Sequence, residues 1–190
     1  MAGCQRIILG ITGATGMLYV PALLRLLAAQ DVEVHGILSA AGRKVLQIEL
    51  GLEPEDLSQV ARWFAADDFT APPASGSALY DAMVVLPCTM GSLAAIANGY
   101  CGNLLHRCAD VTLKERRPLL LAVRETPLNR THLKNMLAAH EAGAIICPPM
   151  PSFYTCPKDL NDIALAFAAR ICDLLGVPVT LADVKRWQGV

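Results

Sequence analysis

A chain of 190 residues with a formal net charge of -1 has room for one domain with a sizeable core and carries no global basic field for nucleic acid. Apolar residues make up 54% and charged residues 17%, which leaves little polar surface to cover a monomer and predicts buried subunit interfaces. No apolar run reaches the roughly 18 residues of a membrane span, and Met1 to Arg6 lead into a strand without the head or cleavage site of a signal peptide.

Arg6 to Thr12 reads as a short buried strand running into glycine-rich sequence, followed by a helical pattern from Met17 to Ala29. Val32 to Ser39 reads as a second strand and Ala41 to Leu50 as a second helix. Gly51 to Ser77 is rich in Asp, Pro, Gly and Ser and reads as irregular, with a short helix near Leu57 to Phe64. Ala82 to Leu86 is a third strand, stopped by Pro87, with a helix from Gly91 to Asn98 after it. Pro118 to Val123 forms a fourth strand, Thr131 to His140 a helix, and Ala144 to Cys147 a fifth strand. A last helix spans Leu160 to Leu175, and residues 176–190 form a tail. Strands alternating with helices predict an α/β fold, a single doubly wound domain over residues 1–190 with a mainly parallel sheet.

The seven cysteines, at 4, 88, 101, 108, 147, 156 and 172, are odd in number and form no CxxC pair, which favours a reducing cytoplasm over a disulfide framework. His35, His106, His132 and His140 show no metal-ligand spacing with them, so no metal is expected.

Gly10-Ile-Thr-Gly-Ala-Thr-Gly16 joins the first strand to the first helix. Glycines allow close backbone approach to a phosphate, and a helix start offers free N–H groups at its positive end. A dinucleotide would want an acid at the end of the second strand, but Ile37-Leu38-Ser39 stands there and Glu33 comes too early. Tyr154 and Lys158 have the spacing of a dehydrogenase pair, yet Pro157 argues against a helix through them. A mononucleotide is therefore preferred. Pro87-Cys-Thr-Met-Gly-Ser92 repeats the logic after the third strand, where Thr89 or Ser92 serves either a ligand or a helix cap. The run from Val111 to Pro127 sets one Lys, three Arg and two Glu around an apolar strand. Arg124 and Glu125 fall where that strand must end, which is where ligands bind in an open α/β sheet.

In Thr12-Gly-Ala-Thr-Gly16, Ala74-Ser-Gly-Ser77, Pro87-Cys-Thr-Met90, Asn103-Leu-Leu-His-Arg107, Ala109 to Pro118, Arg124-Glu-Thr-Pro127 and Pro151-Ser-Phe-Tyr154, the chain resembles the UbiX-type flavin prenyltransferases over nearly its whole length. The resemblance implies a Rossmann- or flavodoxin-like fold and transfer of a dimethylallyl group from dimethylallyl monophosphate to N5 and C6 of reduced FMN, without a metal. It implies FMN contacts from Gly13, Ala14, Thr15, Ser39, Thr89, Met90, Gly91, Ser92 and Arg124. Glu125 matches the acid that assists proton transfer, and Glu49 a second acid near the substrate. Tyr154 and Arg170 match residues that hold the prenyl phosphate, with positive charge from Arg107 and Lys114, and Trp187 matches an aromatic of the covering tail. Arg170 lies within an apolar helical pattern and is expected to have a specific partner, inside or outside the chain. Thr15 and Thr89 stand where the family usually has Ser, which keeps the hydroxyl and adds a methyl group. A homododecamer and a UbiD-type decarboxylase receiving the product are implied as well.

Two rivals share the architecture. Cysteine-type and phosphopantothenoylcysteine decarboxylases use a His just before the third strand, and no His lies between His35 and His106. A non-catalytic FMN carrier would keep the flavin loops but could lose Glu49, Lys114, Glu125, Tyr154 and Arg170, all of which are present.

Overall fold

Buried apolar runs alternating with helical periods give the computed structural model, which describes residues 5–179, one parallel sheet flanked by helices. The strands are β1 (Arg6–Ile11), β2 (Glu33–Leu38), β3 (Val60–Phe64), β4 (Ala82–Cys88), β5 (Leu119–Val123) and β6 (Ile145–Ile146). They lie in the order β3-β2-β1-β4-β5-β6, and every pair is parallel. The helices are α1 (Tyr19–Ala28), α2 (Ala40–Leu50), α3 (Met90–Ala97), α4 (Leu104–Lys114), α5 (Arg130–Glu141) and α6 (Leu160–Leu174). The chain winds outward from β1 to β3 and then returns past β1 to β4, so the strand order reverses between β1 and β4.

All seven residues of β4 are buried, and their side chains divide between the two faces with the strand period of two. Val84 and Leu86 join Leu23, Leu27, Phe167 and Ile171 in the core beneath α1 and α6. Met83 and Val85 join Leu93, Leu105 and Cys108 beneath α3 and α4. At roughly 1.5–3 kcal/mol per buried large aliphatic, these two cores are the main favourable term of the fold.

Two expectations need correction, and one helix was not expected. Leu57 to Phe64 is not helical: a short 3-10 turn covers Pro54–Asp56, and Val60–Phe64 forms edge strand β3 against β2. Val60 and Phe64 sit four apart, a spacing a helix shares, but the Val, Trp and Phe content favours a pleated surface. The third strand does not stop at Pro87; β4 runs through to Cys88. Its register with β5 shifts between Val85 and Cys88, so the ladder is interrupted where Pro87 has no N–H to give. Finally, the charge-rich segment before β5 is helix α4, whose buried residues Leu104, Leu105, Cys108, Ala109, Val111 and Thr112 follow the helical period behind the Asn103 cap. Among the described residues, no helix is long and apolar enough to cross a membrane.

At the amino-terminal end of the sheet His35 is almost fully buried. Its Nε2 lies 2.8 Å from Glu33 Oε1, and its Nδ1 lies 2.7 Å from the Tyr80 hydroxyl. Burial pushes its pKa below the ordinary 6.5, and the opposing pull of Glu33 only partly offsets this. The neutral ring thus donates to Glu33 and accepts from Tyr80. Because the folded pKa is the lower one, the unfolded chain binds the proton more readily, and stability falls as pH drops from 6.5 toward the folded value. Thermal unfolding of the native chain is expected to show this fall, and His35→Gln, though less stable, is expected to lack it. Equal pH slopes in the two proteins would assign the effect to another group.

Candidate functional site

Thr12, the residue after β1, is 2% exposed and uses its hydroxyl twice. Oγ1 donates to the Pro87 carbonyl at 2.7 Å and accepts from the Thr89 N–H at 2.8 Å, while the Thr12 N–H also reaches the Pro87 carbonyl at 3.2 Å. This ties the carboxyl end of β1 to that of β4 across the point where the strand order reverses, the usual ligand crevice of such sheets. Thr12 was not among the residues expected at the site. Its signal was a hydroxyl at the end of an otherwise apolar strand.

The glycines of the first loop serve the backbone. Gly16 has φ +108°, and a Cβ on Gly13 would come within 2.5 Å of Ala41 Cβ, so the loop lies directly on the start of α2. Helix α1 has no side-chain cap of its own. Glu49, from α2, holds the loop ahead of it: its carboxylate accepts from the Gly16 N–H at 3.0 Å and the Met17 N–H at 2.8 Å. Burial alone would raise the Glu49 pKa, but hydrogen bonds from the Thr15 hydroxyl, Met17 and Gly16, with the nearby charge of Arg124, carry it below the ordinary 4.5. Glu49 is therefore a carboxylate at neutral pH, suited to balance a cation or accept hydrogen bonds rather than to donate a proton.

Two further helix starts face the same crevice. Ser39 caps α2, accepting from the Gly42 N–H at 3.0 Å, and its own N–H donates to the Ile11 carbonyl at 3.0 Å. Thr89 caps α3, accepting from the Ser92 N–H at 3.2 Å. The amides of Met90 and Gly91 have no hydrogen-bond partner among the described residues, and a Cβ at Gly91 would meet nothing within 4 Å. Free amides at a positive helix end beside open space suit an anionic or carbonyl-bearing ligand such as a flavin mononucleotide.

Arg124 and Glu125 follow β5 and are exposed; the Arg124 N–H donates to the Cys88 carbonyl at 3.0 Å, and Glu125 Oε1 accepts from the Thr126 N–H at 3.0 Å. Tyr154 lies exposed in the loop after β6. Arg170, expected to have a specific partner inside or outside the chain, lies on the exposed side of α6, close enough to Cys147 to act on its thiol. The apolar residues around it bury the opposite face.

Lys114 and Arg107 are elsewhere. Helix α4 ends at Lys114, a few residues before β5 begins, so Lys114 sits at the amino-terminal end of the sheet, a strand length of about 13 Å or more from Glu125. Its ammonium pairs with Glu115 and lies over Gly76. Arg107 pairs with Asp110 at 2.7 Å and donates to the Ala74 carbonyl at 3.1 Å, and Arg117 donates to the Gly76 and Ala78 carbonyls. A single chain thus separates this basic cluster from Glu125. Trp187 lies outside the described residues. The buried thiols of Cys88 and Cys108, both pushed up to about 12 by burial, stay protonated and unreactive.

The pattern of the flavoprotein family matches residues 1–179. A flavin prenyltransferase UbiX from Methanocaldococcus jannaschii is 44% identical, over 98% of this chain and all of that protein. Among solved structures, AnUbiX in complex with FMN and dimethylallyl pyrophosphate superimposes with a TM-score of 0.94 at 38% identity, covering 98% of this chain and 99% of that one. A dodecameric FMN-dependent UbiX-like decarboxylase from Escherichia coli O157:H7 gives a TM-score of 0.92 at 38% identity, over 97% of this chain and 100% of that one.

Thr12→Val keeps the shape but leaves the Thr89 N–H unanswered, and is expected to cost about 1–3 kcal/mol in urea unfolding. A change below about 0.5 kcal/mol would mean that the amide finds another acceptor. Glu49, with its lowered folded pKa, stabilises above the ordinary 4.5, and that contribution is lost as pH falls through the folded value. Glu49→Gln is expected to lower the thermal midpoint at neutral pH and to flatten the acid side of its pH profile; an unchanged acid slope would remove Glu49 from the account.

Proposed function

We propose that this chain, which belongs to the flavoprotein family and within it to the UbiX-type flavin prenyltransferases, joins a dimethylallyl group from dimethylallyl monophosphate to N5 and C6 of reduced FMN and releases phosphate. The observation that carries the reading is one crevice holding free helix-start amides, a fixed Glu49 carboxylate, Arg124 and Glu125.

FMN supplies the nucleophilic ring atoms that accept the allyl group. The loop of Gly13, Ala14 and Thr15, together with Ser39, the start of α3 from Thr89 to Ser92, and Arg124, would hold it. The hydroxyls of Thr15 and Thr89 already answer Glu49 and the Ser92 amide, so these two positions need a hydroxyl more than they need Ser. Glu125 would deliver a proton to the departing phosphate and take one from the flavin carbon. Tyr154 and Arg170 would stabilise charge developing on the phosphate oxygens.

Lys114 and Arg107 can serve a site only through a second copy, because their own chain holds them at the far end of its sheet. A homododecamer supplies such copies, and large apolar side chains await cover: Ile48, Leu79, Tyr100, Met150, Phe153 and Leu160 are each more than two-thirds exposed. The product would serve a UbiD-type decarboxylase in the cytoplasm, and the tail with Trp187 would help to exclude water.

Anaerobic incubation with reduced FMN and dimethylallyl monophosphate, followed by mass spectrometry of the extracted flavin, tests this. A flavin heavier by one five-carbon unit is expected, formed about 100-fold or more slowly by Glu125→Gln. Bound but unmodified FMN would favour the carrier reading for this donor.

A further inference from the structure

The first turns of α3 and α4 meet where Ser92, already given to the flavin, faces His106, which the proposed chemistry does not use. His106, the third residue of α4, is held by the Asn103 cap, which accepts from its N–H at 2.9 Å. Its Nε2 lies 3.4 Å from Ser92 Oγ, and its Nδ1 is buried with no partner among the described residues. Burial lowers its pKa from 6.5, so the ring is neutral at physiological pH and carries one N–H. A hydrogen on Nδ1 would bury an unanswered donor. Placed on Nε2, it donates to Ser92 and leaves only a lone pair unanswered, the less costly choice.

The consequence falls on Ser92. Its Oγ already accepts from Thr89 Oγ1 at 3.1 Å, so a second donor in His106 fills both acceptor positions. The Ser92 hydrogen must then point away from both partners. Beside it stand the free Met90 and Gly91 amides and the open space at Gly91.

We propose that His106 is a positioning residue, which by donating to Ser92 fixes the Ser92 hydroxyl as a donor toward an acceptor oxygen of the bound flavin. The inference rests on the prenyltransferase reading. The oxygen belongs either to the flavin phosphate or to a ring carbonyl, and comparison of FMN with riboflavin separates these sources.

The test uses the full chain, titrated with FMN and with riboflavin by flavin fluorescence. His106→Leu is expected to weaken FMN about tenfold, the scale of one hydrogen bond. His106→Gln, which keeps an N–H donor of similar reach, is expected to restore affinity to within about threefold of the native chain. In a Ser92→Ala background the His106 change is expected to matter less than about twofold, because its route is gone. A loss seen with FMN alone assigns the phosphate oxygen, and an equal loss with riboflavin assigns a ring carbonyl. Unchanged FMN affinity in His106→Leu, or an equal loss with and without Ser92, overturns the inference and leaves His106 a packing residue. Should His106→Leu not fold, His106→Asn, whose amide falls short of Ser92, enters the same cycle. A native chain that binds no FMN would instead sink the flavin reading itself.

Discussion

The buried hydroxyl of Thr12 is the constraint on which the rest depends. Parallel strands on either side of a reversal in strand order share no connecting turn, and their loops would otherwise splay. Thr12 closes that gap with one donated and one accepted hydrogen bond to the Pro87–Thr89 segment. The start of α3, the end of β1 and the loop before α1 thereby become one rigid surface. Against a typical net stability of about 5–15 kcal/mol, two buried hydrogen bonds are a substantial share, and here they also set the width of the crevice.

Electrostatics around the crevice follow from helix ends. The amides there find different answers: Glu49 for Gly16 and Met17 in the loop ahead of α1, Ser39 for the start of α2, Thr89 for the start of α3. The first answer is an anion, which Arg124 balances, and the α3 start keeps amides in reserve. The crevice therefore sets the acids Glu49 and Glu125 beside several donors, which discriminates between parts of a ligand by charge.

The same chain carries a second basic cluster, Lys114, Arg107 and Arg117, fastened on the 74–78 loop by three carbonyl acceptors. Its guanidinium groups stiffen that loop, and Lys114 stands over Gly76, where no side chain could fit without displacing Glu115. On the proposed reading, one copy supplies the flavin crevice and another the cations, so assembly and activity are linked through geometry rather than through a conformational change.

Strand period, helical period and glycine loops were enough to read a doubly wound sheet, and the ends of β1, β4 and β5 were legible as site positions because strands in such sheets end where ligands bind. The sequence could also nominate Glu49, Arg124 and Glu125, since resemblance carries residue identities. It could not assign Val60–Phe64, because an apolar pair four apart fits either period until a neighbouring strand offers its edge. Nor did it reveal helix α4, whose charged face drew attention from the buried one. Only tertiary structure made Thr12 a tie, brought Glu49 onto the loop ahead of α1, set His106 against Ser92 and placed Lys114 away from Glu125. Those outcomes are distances between segments far apart in the chain, and local periodicity carries no information about them.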